Sequence, residues 1–233
     1  MISESGFVDG AQPYIEGYIQ CGNVAKPIDK SNTNYYTGGV AAWKRQDTGL
    51  KVLYRDQFNQ IKGFQALKLV MESNITILCF YRSPNQTKEE IEETIEFFKK
   101  IPENTTIVGD LNIPEADWAV NEIHRKSGCK NKKEKEDLVL QQTIENDRRQ
   151  RVDFATKKFN NNILDVVIAP NDVKINDLKE VSSPDKGEDP GTDHKWLGFE
   201  IEKDTTKEKE QEQDEVKTRV DYEYMNEILR NKE

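Results

Sequence analysis

Short apolar runs, broken by Gly, Asn, Asp and Pro, recur along the chain as far as Ile201, and most are too short for helices. Gly39-Val40-Ala41-Ala42-Trp43 and Leu50-Lys51-Val52-Leu53 predict a pair of strands, with Gln46-Asp47-Thr48-Gly49 as the turn between them. Gln65 to Leu69 and Ile75 to Tyr81 predict two more, separated by Glu72-Ser73-Asn74. The period then changes. Ile91, Thr94, Ile95 and Phe98 fall on one helical stripe, behind Thr87 and Glu90 at capping-box spacing. Pro102 should stop that helix, because the residue before a proline is biased away from helix. A strand over Thr105 to Val108 follows, and a helix over Asp137 to Asp147 with Leu138, Val139 and Ile144 inward. Strands are expected at Arg151 to Phe154 and Ile163 to Ala169, weakly at Lys179 to Val181, and last at Trp196 to Ile201. Residues 119–136, polar and lysine-rich, and Pro184 to Gly191 read as loops. Strands outnumber helices, which predicts the α+β class: a β-sandwich flanked by helices.

Composition divides the chain. From Lys203 onward Lys, Glu, Gln, Asp and Thr replace apolar residues, the pattern of a solvated linker. Tyr222 to Leu229 regains enough apolar content for a short amphipathic helix. This gives a unit over 1–201, a charged linker over 202–219 and a helix within 220–233. The 233 residues, 35% hydrophobic and 33% charged, suffice for one domain of ordinary size with a polar remainder.

A net charge of −9 argues against holding nucleic acid by charge alone, yet leaves room for a nuclease whose carboxylates are neutralised by divalent cations. The three cysteines, Cys21, Cys79 and Cys129, share no metal spacing and fit a reducing compartment. Cys79 reads as a buried thiol. No apolar stretch approaches the roughly 18 residues needed to span a bilayer. Met1-Ile2-Ser3-Glu4 lacks the pattern of a signal peptide. An intracellular protein is expected.

Candidate chemistry concentrates in Ile107-Val108-Gly109-Asp110-Leu111-Asn112-Ile113-Pro114. If the run is a strand, period-two geometry puts Asp110 and Asn112 on one face at its end. Gly-Asp-Leu-Asn is equally readable as a plain turn. Asp165 interrupts the apolar Ile163-Leu164-Asp165-Val166-Val167-Ile168. A carboxylate there must face solvent or find a partner, because burying it alone costs several kcal/mol. One of only two histidines, His194, is the candidate partner, although a histidine in a loop can also be incidental.

The order of the segments decides among these readings. It runs Ser3-Glu4-Ser5, Tyr81-Arg82-Ser83-Pro84-Asn85, Gly109-Asp110-Leu111-Asn112, Leu164-Asp165-Val166-Val167 and Thr192-Asp193-His194. This resembles the endonuclease/exonuclease/phosphatase family, and in detail the endonuclease domain of non-LTR (LINE-type) retrotransposons. Gly38-Gly39-Val40-Ala41 and Pro114-Glu115-Ala116-Asp117-Trp118 match that group as well. The resemblance covers residues 1–201 and implies a four-layer α/β/β/α sandwich, two packed and mostly antiparallel sheets flanked by helices.

The resemblance implies roles residue by residue. Glu4 and Asp193 would be metal ligands, and Tyr81 would steady the scissile phosphate. Asp110 would orient or deprotonate the attacking water, while Asn112 would hold the phosphate and orient Asp110. Asp165 would pair with His194, fixing its orientation and keeping it protonated, and His194 would contact a phosphate oxygen; Asn85 and Thr192 would bind substrate. Ser5 and Thr192 stand where the family usually has Thr and Ser. Mg²⁺ is the implied cofactor, with Mn²⁺ as a substitute, since hard cations prefer oxygen ligands. DNA is the implied substrate, which would place the protein in the nucleus if that DNA is genomic. A reverse transcriptase would follow in a parent polyprotein, joined through the helix after Arg219. The family's fold starts with an Asn-bearing strand upstream of the Glu motif. Met1 stands three residues before Glu4, so that first strand is expected to be missing. Two alternatives remain: a phosphatase of the same fold, and an inactive relic kept as a binding module.

Overall fold

The computed structural model describes residues 1–3, 5, 14–25, 38–58, 63–114, 116–118, 124–125, 139, 141–145, 147–182 and 193–203. Glu4, Thr192, Cys129, Leu138, the 184–191 loop and the helix expected within 220–233 lie outside them, as does the linker beyond Lys203. In chain order the strands and helix are β1 (Ile2–Ser3), β2 (Tyr18–Val24), β3 (Val40–Arg45), β4 (Val52–Phe58), β5 (Phe64–Met71), β6 (Thr76–Arg82), α1 (Lys88–Lys99) and β7 (Thr105–Asp110). They continue with β8 (Ala116–Asp117), β9 (His124–Arg125), β10 (Arg148–Gln150), β11 (Asp165–Pro170), β12 (Val173–Val181) and β13 (Trp196–Lys203). The architecture is mostly sheet, as the α+β reading requires.

A six-stranded mixed sheet in the order β10-β11-β7-β6-β5-β4 organises the molecule. Only β6 and β7 pair in parallel, and α1 makes the crossover that such a pair needs. Helix α1 begins as its sequence predicts: Thr87 Oγ1 accepts from Glu90 N, and Glu90 Oε2 accepts from Thr87 N. Its stripe Ile91, Thr94, Ile95 and Phe98 is buried. That stripe packs on one face of the sheet with Phe64, Ala66, Leu78, Phe80, Ile107, Val166 and Ile168. Alternate residues, Leu67, Leu69, Cys79 and Tyr81, point to the other face and meet Val24, Val40 and Ala42 of a three-stranded sheet ordered β1-β3-β2. Both faces of the central strands are therefore covered. Cys79 is the expected buried thiol, pushed up to about 12 by burial.

Two expectations are corrected and a third is extended. The strands around Val40 and Val52 form, but they do not pair with each other. β3 sits between β1 and β2, whereas β4 pairs with β5 in the large sheet. Burial explains the difference: Val40, Ala41 and Ala42 are all buried, which suits a covered central strand, while β4 is mostly exposed at an edge. The strand expected at Arg151 to Phe154 lies earlier, over β10. Arg151 N–H still reaches Val167 O at 2.9 Å, but Val152 N–H bonds Gln150 Oε1 at 2.6 Å and the chain leaves the ladder. The weak strand near Lys179 runs instead from Val173, antiparallel to β13 with a bulge between Asn176 and Lys179. Within 119–136, the described pair His124–Arg125 forms β9 against β8, and in the helix expected at 137–147 residues 139 and 141–144 are helical. Among the described residues no helix is long and apolar enough to cross a membrane.

Candidate functional site

Strand register creates a polar row across the end of the large sheet. Gln65 pairs with Tyr81, Tyr81 with Asp110, and Asp110 with Asp165. These residues alternate with those packed toward α1, so they share the face turned to the three-stranded sheet. All are buried: 0%, 2%, 1% and 9% exposed in that order. Two carboxylates side by side in such surroundings demand a cation or strong donors.

Both are supplied. His194 Nδ1 lies 2.8 Å from Asp165 Oδ2, so the solvent-facing alternative for Asp165 fails and the expected partner is present. The hydrogen bond that His194 Nδ1–H donates to Asp165 raises His194 from its ordinary 6.5 to about 9, helped by the charges of Asp165, Asp110 and Asp193 and opposed by burial. At neutral pH the ring is therefore a cation. Asp110 receives its donors from Asn112, whose backbone N–H meets Oδ1 at 2.7 Å and whose Nδ2 meets Oδ2 at 2.9 Å.

The convergence of Asp110 and Asn112 differs from the period-two expectation. The strand ends at Asp110, and Asn112 takes a left-handed conformation with φ +49°. The carboxylate accepts the N–H two residues on, as in an Asx turn, and Asn tolerates that backbone better than most residues. Turn and site, posed as alternatives from the sequence, are the same object. Leu111 and Ile113 anchor it by burial in the α1-side core, and Leu111 N–H bonds Leu164 O at 3.0 Å. Trp118 Nε1 reaches Ile163 O at 3.2 Å, pinning the segment after the turn to the approach of β11.

The other expected residues distribute unevenly. Tyr81 is beside Asp110 in register and buried among Leu67, Leu69 and Cys79. Asn85 is exposed in the turn before α1, and among the described residues no hydrogen bond brings it to the cluster. Asp193 is half exposed; its Oδ1 is 3.7 Å from His194 Nε2, while Oδ2 pairs with Lys157 Nζ at 2.8 Å. That lysine holds the Asp193 carboxyl below its usual range.

Ligand atoms of Asp110, Asp165 and His194 lie within 4.8 Å of one another, a grouping that could hold a metal ion. Its oxygen-rich donor set suits a hard cation. A protonated His194 would ligate only after losing its proton, which its contact with Asp165 opposes.

One residue essential to this geometry escapes sequence reasoning. Thr156 is fully buried, and its Oγ1 accepts from Leu164 N at 3.0 Å and Asp165 N at 3.1 Å. Its carbonyl accepts from Lys195 N at 2.8 Å, so one threonine ties the Asp165 strand to the His194 segment. No spacing marks it; only the need of a buried Asp for a held backbone could have drawn attention to it. Thr156→Val should strand two buried N–H groups and lower stability by about 2–4 kcal/mol, whereas Thr156→Ser should cost under about 1.5. Urea denaturation checks this, and equal midpoints for the two variants would refute it.

A family model described as endonuclease-reverse transcriptase matches residues 75–197, more than half of the chain and the span from β6 to the start of β13. A search of curated proteins finds no match.

Proposed function

Because the chain belongs to the endonuclease-reverse transcriptase family, we propose that residues 1–201 form a metal-dependent DNA endonuclease that nicks one strand by phosphodiester hydrolysis. The observation that carries this reading is the His194–Asp165 contact at 2.8 Å, with Asp110 within 4.8 Å of both. The two sheets with α1 on the outer face of one are compatible with the four-layer arrangement of that fold, which we adopt here.

A DNA phosphodiester carries negative charge and resists an anionic nucleophile. Protonated His194, oriented from behind by Asp165, donates a hydrogen bond to a non-bridging oxygen and offsets that charge. Asp110 takes a proton from the attacking water, and Asn112 fixes the carboxylate; its amide, shared between Asp110 Oδ2 and Arg82 O, holds the phosphate only by exchanging one of those bonds. Tyr81, beside Asp110 in register, steadies the scissile phosphate, and Asn85 and Thr192 contact the flanking nucleotides. Glu4 and Asp193 would hold Mg²⁺, or Mn²⁺ in its place, and the chemistry such a cation would supply is Lewis-acid stabilisation of negative charge on oxygen. Lys157 has to release Asp193 for this, and its ammonium is then available to a neighbouring phosphate. Lys157, Lys158 and Phe159, 87% exposed, stand together beside His194, a composition suited to a nucleic-acid backbone and an unstacked base. Residues 202–219 serve as a linker and 220–233 as a connector toward a reverse transcriptase domain, and action on genomic DNA places the protein in the nucleus.

The test is nicking of supercoiled plasmid by the full chain in Mg²⁺ or Mn²⁺. Open circles should accumulate with either ion and cease with EDTA. Phosphate release from small phosphorylated sugars or lipids without nicking would move the assignment to a phosphatase. DNA binding without hydrolysis in either metal would support a relic binding module, the reading that the Lys157–Asp193 pair favours.

A further inference from the structure

Arg82 has no role in the chemistry above, yet its side chain is wholly buried. It alternates with Tyr81 along β6 and therefore lies on the opposite face of the sheet, behind the site. Its Nη1 donates to the carbonyls of Leu111 and Asn112, each at 3.2 Å, and its Nε donates to Gln86 Oε1 at 2.6 Å. In return Asn112 Nδ2 donates to Arg82 O at 2.8 Å. Gln86 is itself held, donating through Nε2 to Gly63 O at 2.7 Å and to Thr94 Oγ1 at 2.8 Å. Thr94 belongs to the buried stripe of α1.

We infer that Arg82, braced by Gln86 and Thr94, is a positioning residue that locks Asn112 in its left-handed conformation and so aims the Asp110 carboxylate. The argument rests on geometry. A planar guanidinium bonds two successive carbonyls and a side-chain amide at fixed angles, which an ammonium cannot reproduce. Both carbonyls belong to the turn whose N–H and amide grip Asp110, and a left-handed Asn holds only if its surroundings fix it. The strut connects the first helix to the reacting end of the sheet without touching substrate.

The inference about Asp110's aim stands on the structure, and its catalytic consequence rests on the proposed nuclease reading. Three full-length variants test it: Arg82→Lys, Gln86→Leu and the milder Thr94→Val. The activity-independent readout is the NMR resonance of the Asn112 side-chain amide, assigned by its loss in Asn112→Asp. It should shift in all three variants and return with Thr94→Ser. In nicking assays normalised to folded protein, Arg82→Lys and Gln86→Leu should lower kcat about 10- to 100-fold with KM within about threefold, the signature of a displaced reacting group. Thr94→Val should lower it less, and a melting curve gives the folded fraction. An unmoved Asn112 amide in folded Arg82→Lys and Thr94→Val overturns the strut, as does unchanged kcat in both. A wild-type chain that fails to nick refutes the nuclease reading instead, and the amide shifts still decide on Arg82.

Discussion

Gly109→Ala should prevent the protein from folding. Gly109 has φ +146°, a region that L side chains rarely adopt, and it pairs with Phe80 in the parallel β6–β7 ladder. A Cβ added there would sit 1.8 Å from Phe80 O, 2.8 Å from its carbonyl carbon and 2.9 Å from its nitrogen. All three are backbone atoms of a central strand, so no side-chain rotation relieves the clash. Either β7 moves off β6 or the backbone of both strands deforms, and each disturbs Asp110 one residue on. A penalty above about 4 kcal/mol is expected from strain and lost pairing together, a large share of the stability of an ordinary domain. Circular dichroism melting and soluble yield measure it. A folded Gly109→Ala protein melting within about 3 °C of the parent would contradict the close approach.

His194→Ala should reduce nicking about 10²- to 10³-fold, the range for removing a donor aimed at transition-state charge. With the imidazolium as the charged donor proposed above, the rate should also fall on the alkaline side near the folded-state value of about 9. Asp165→Asn keeps the shape but removes the main support for that proton, so the alkaline limb should move toward the ordinary histidine value of 6.5. Stability follows the same linkage. With the folded value raised above the unfolded one, the contribution is fully present below about pH 6.5 and is lost as pH rises to about 9. Because the ring is open to water on one side, solvent screening leaves it on the order of 1–2 kcal/mol. Plasmid nicking against pH, with urea midpoints on the same samples, covers both halves. An alkaline limb that stays in place in Asp165→Asn would detach His194 from the chemistry.

What the sequence revealed and what it withheld divide along a physical line. Local periodicity showed α1 with its capping box, because Thr87, Glu90 and the Ile91-to-Phe98 stripe interact within a few residues of each other. Asp165 and His194 were legible as partners because a buried carboxylate in an apolar strand requires one. Pairing between strands was not legible: Gln46-Asp47-Thr48-Gly49 marks a change of direction, and nothing local says whether the chain returns beside β3 or crosses to the other sheet. Thr156 and Arg82 were hidden for a related reason. Each works chiefly through backbone carbonyls and N–H groups that lie beyond its own strand or turn, and those groups are the same whatever residue bears them.

The antiparallel register of β11 on β7 also bears on how the chain folds. Asp110 and Asp165 are brought together only when a long intervening segment closes, a step already slowed by loop entropy. That closure also presses two carboxylates into one dehydrated corner. The imidazole that relieves them arrives from 29 residues beyond Asp165. In the order of the chain both carboxylates precede His194, so the partner of Asp165 is the last part of this corner to be synthesised.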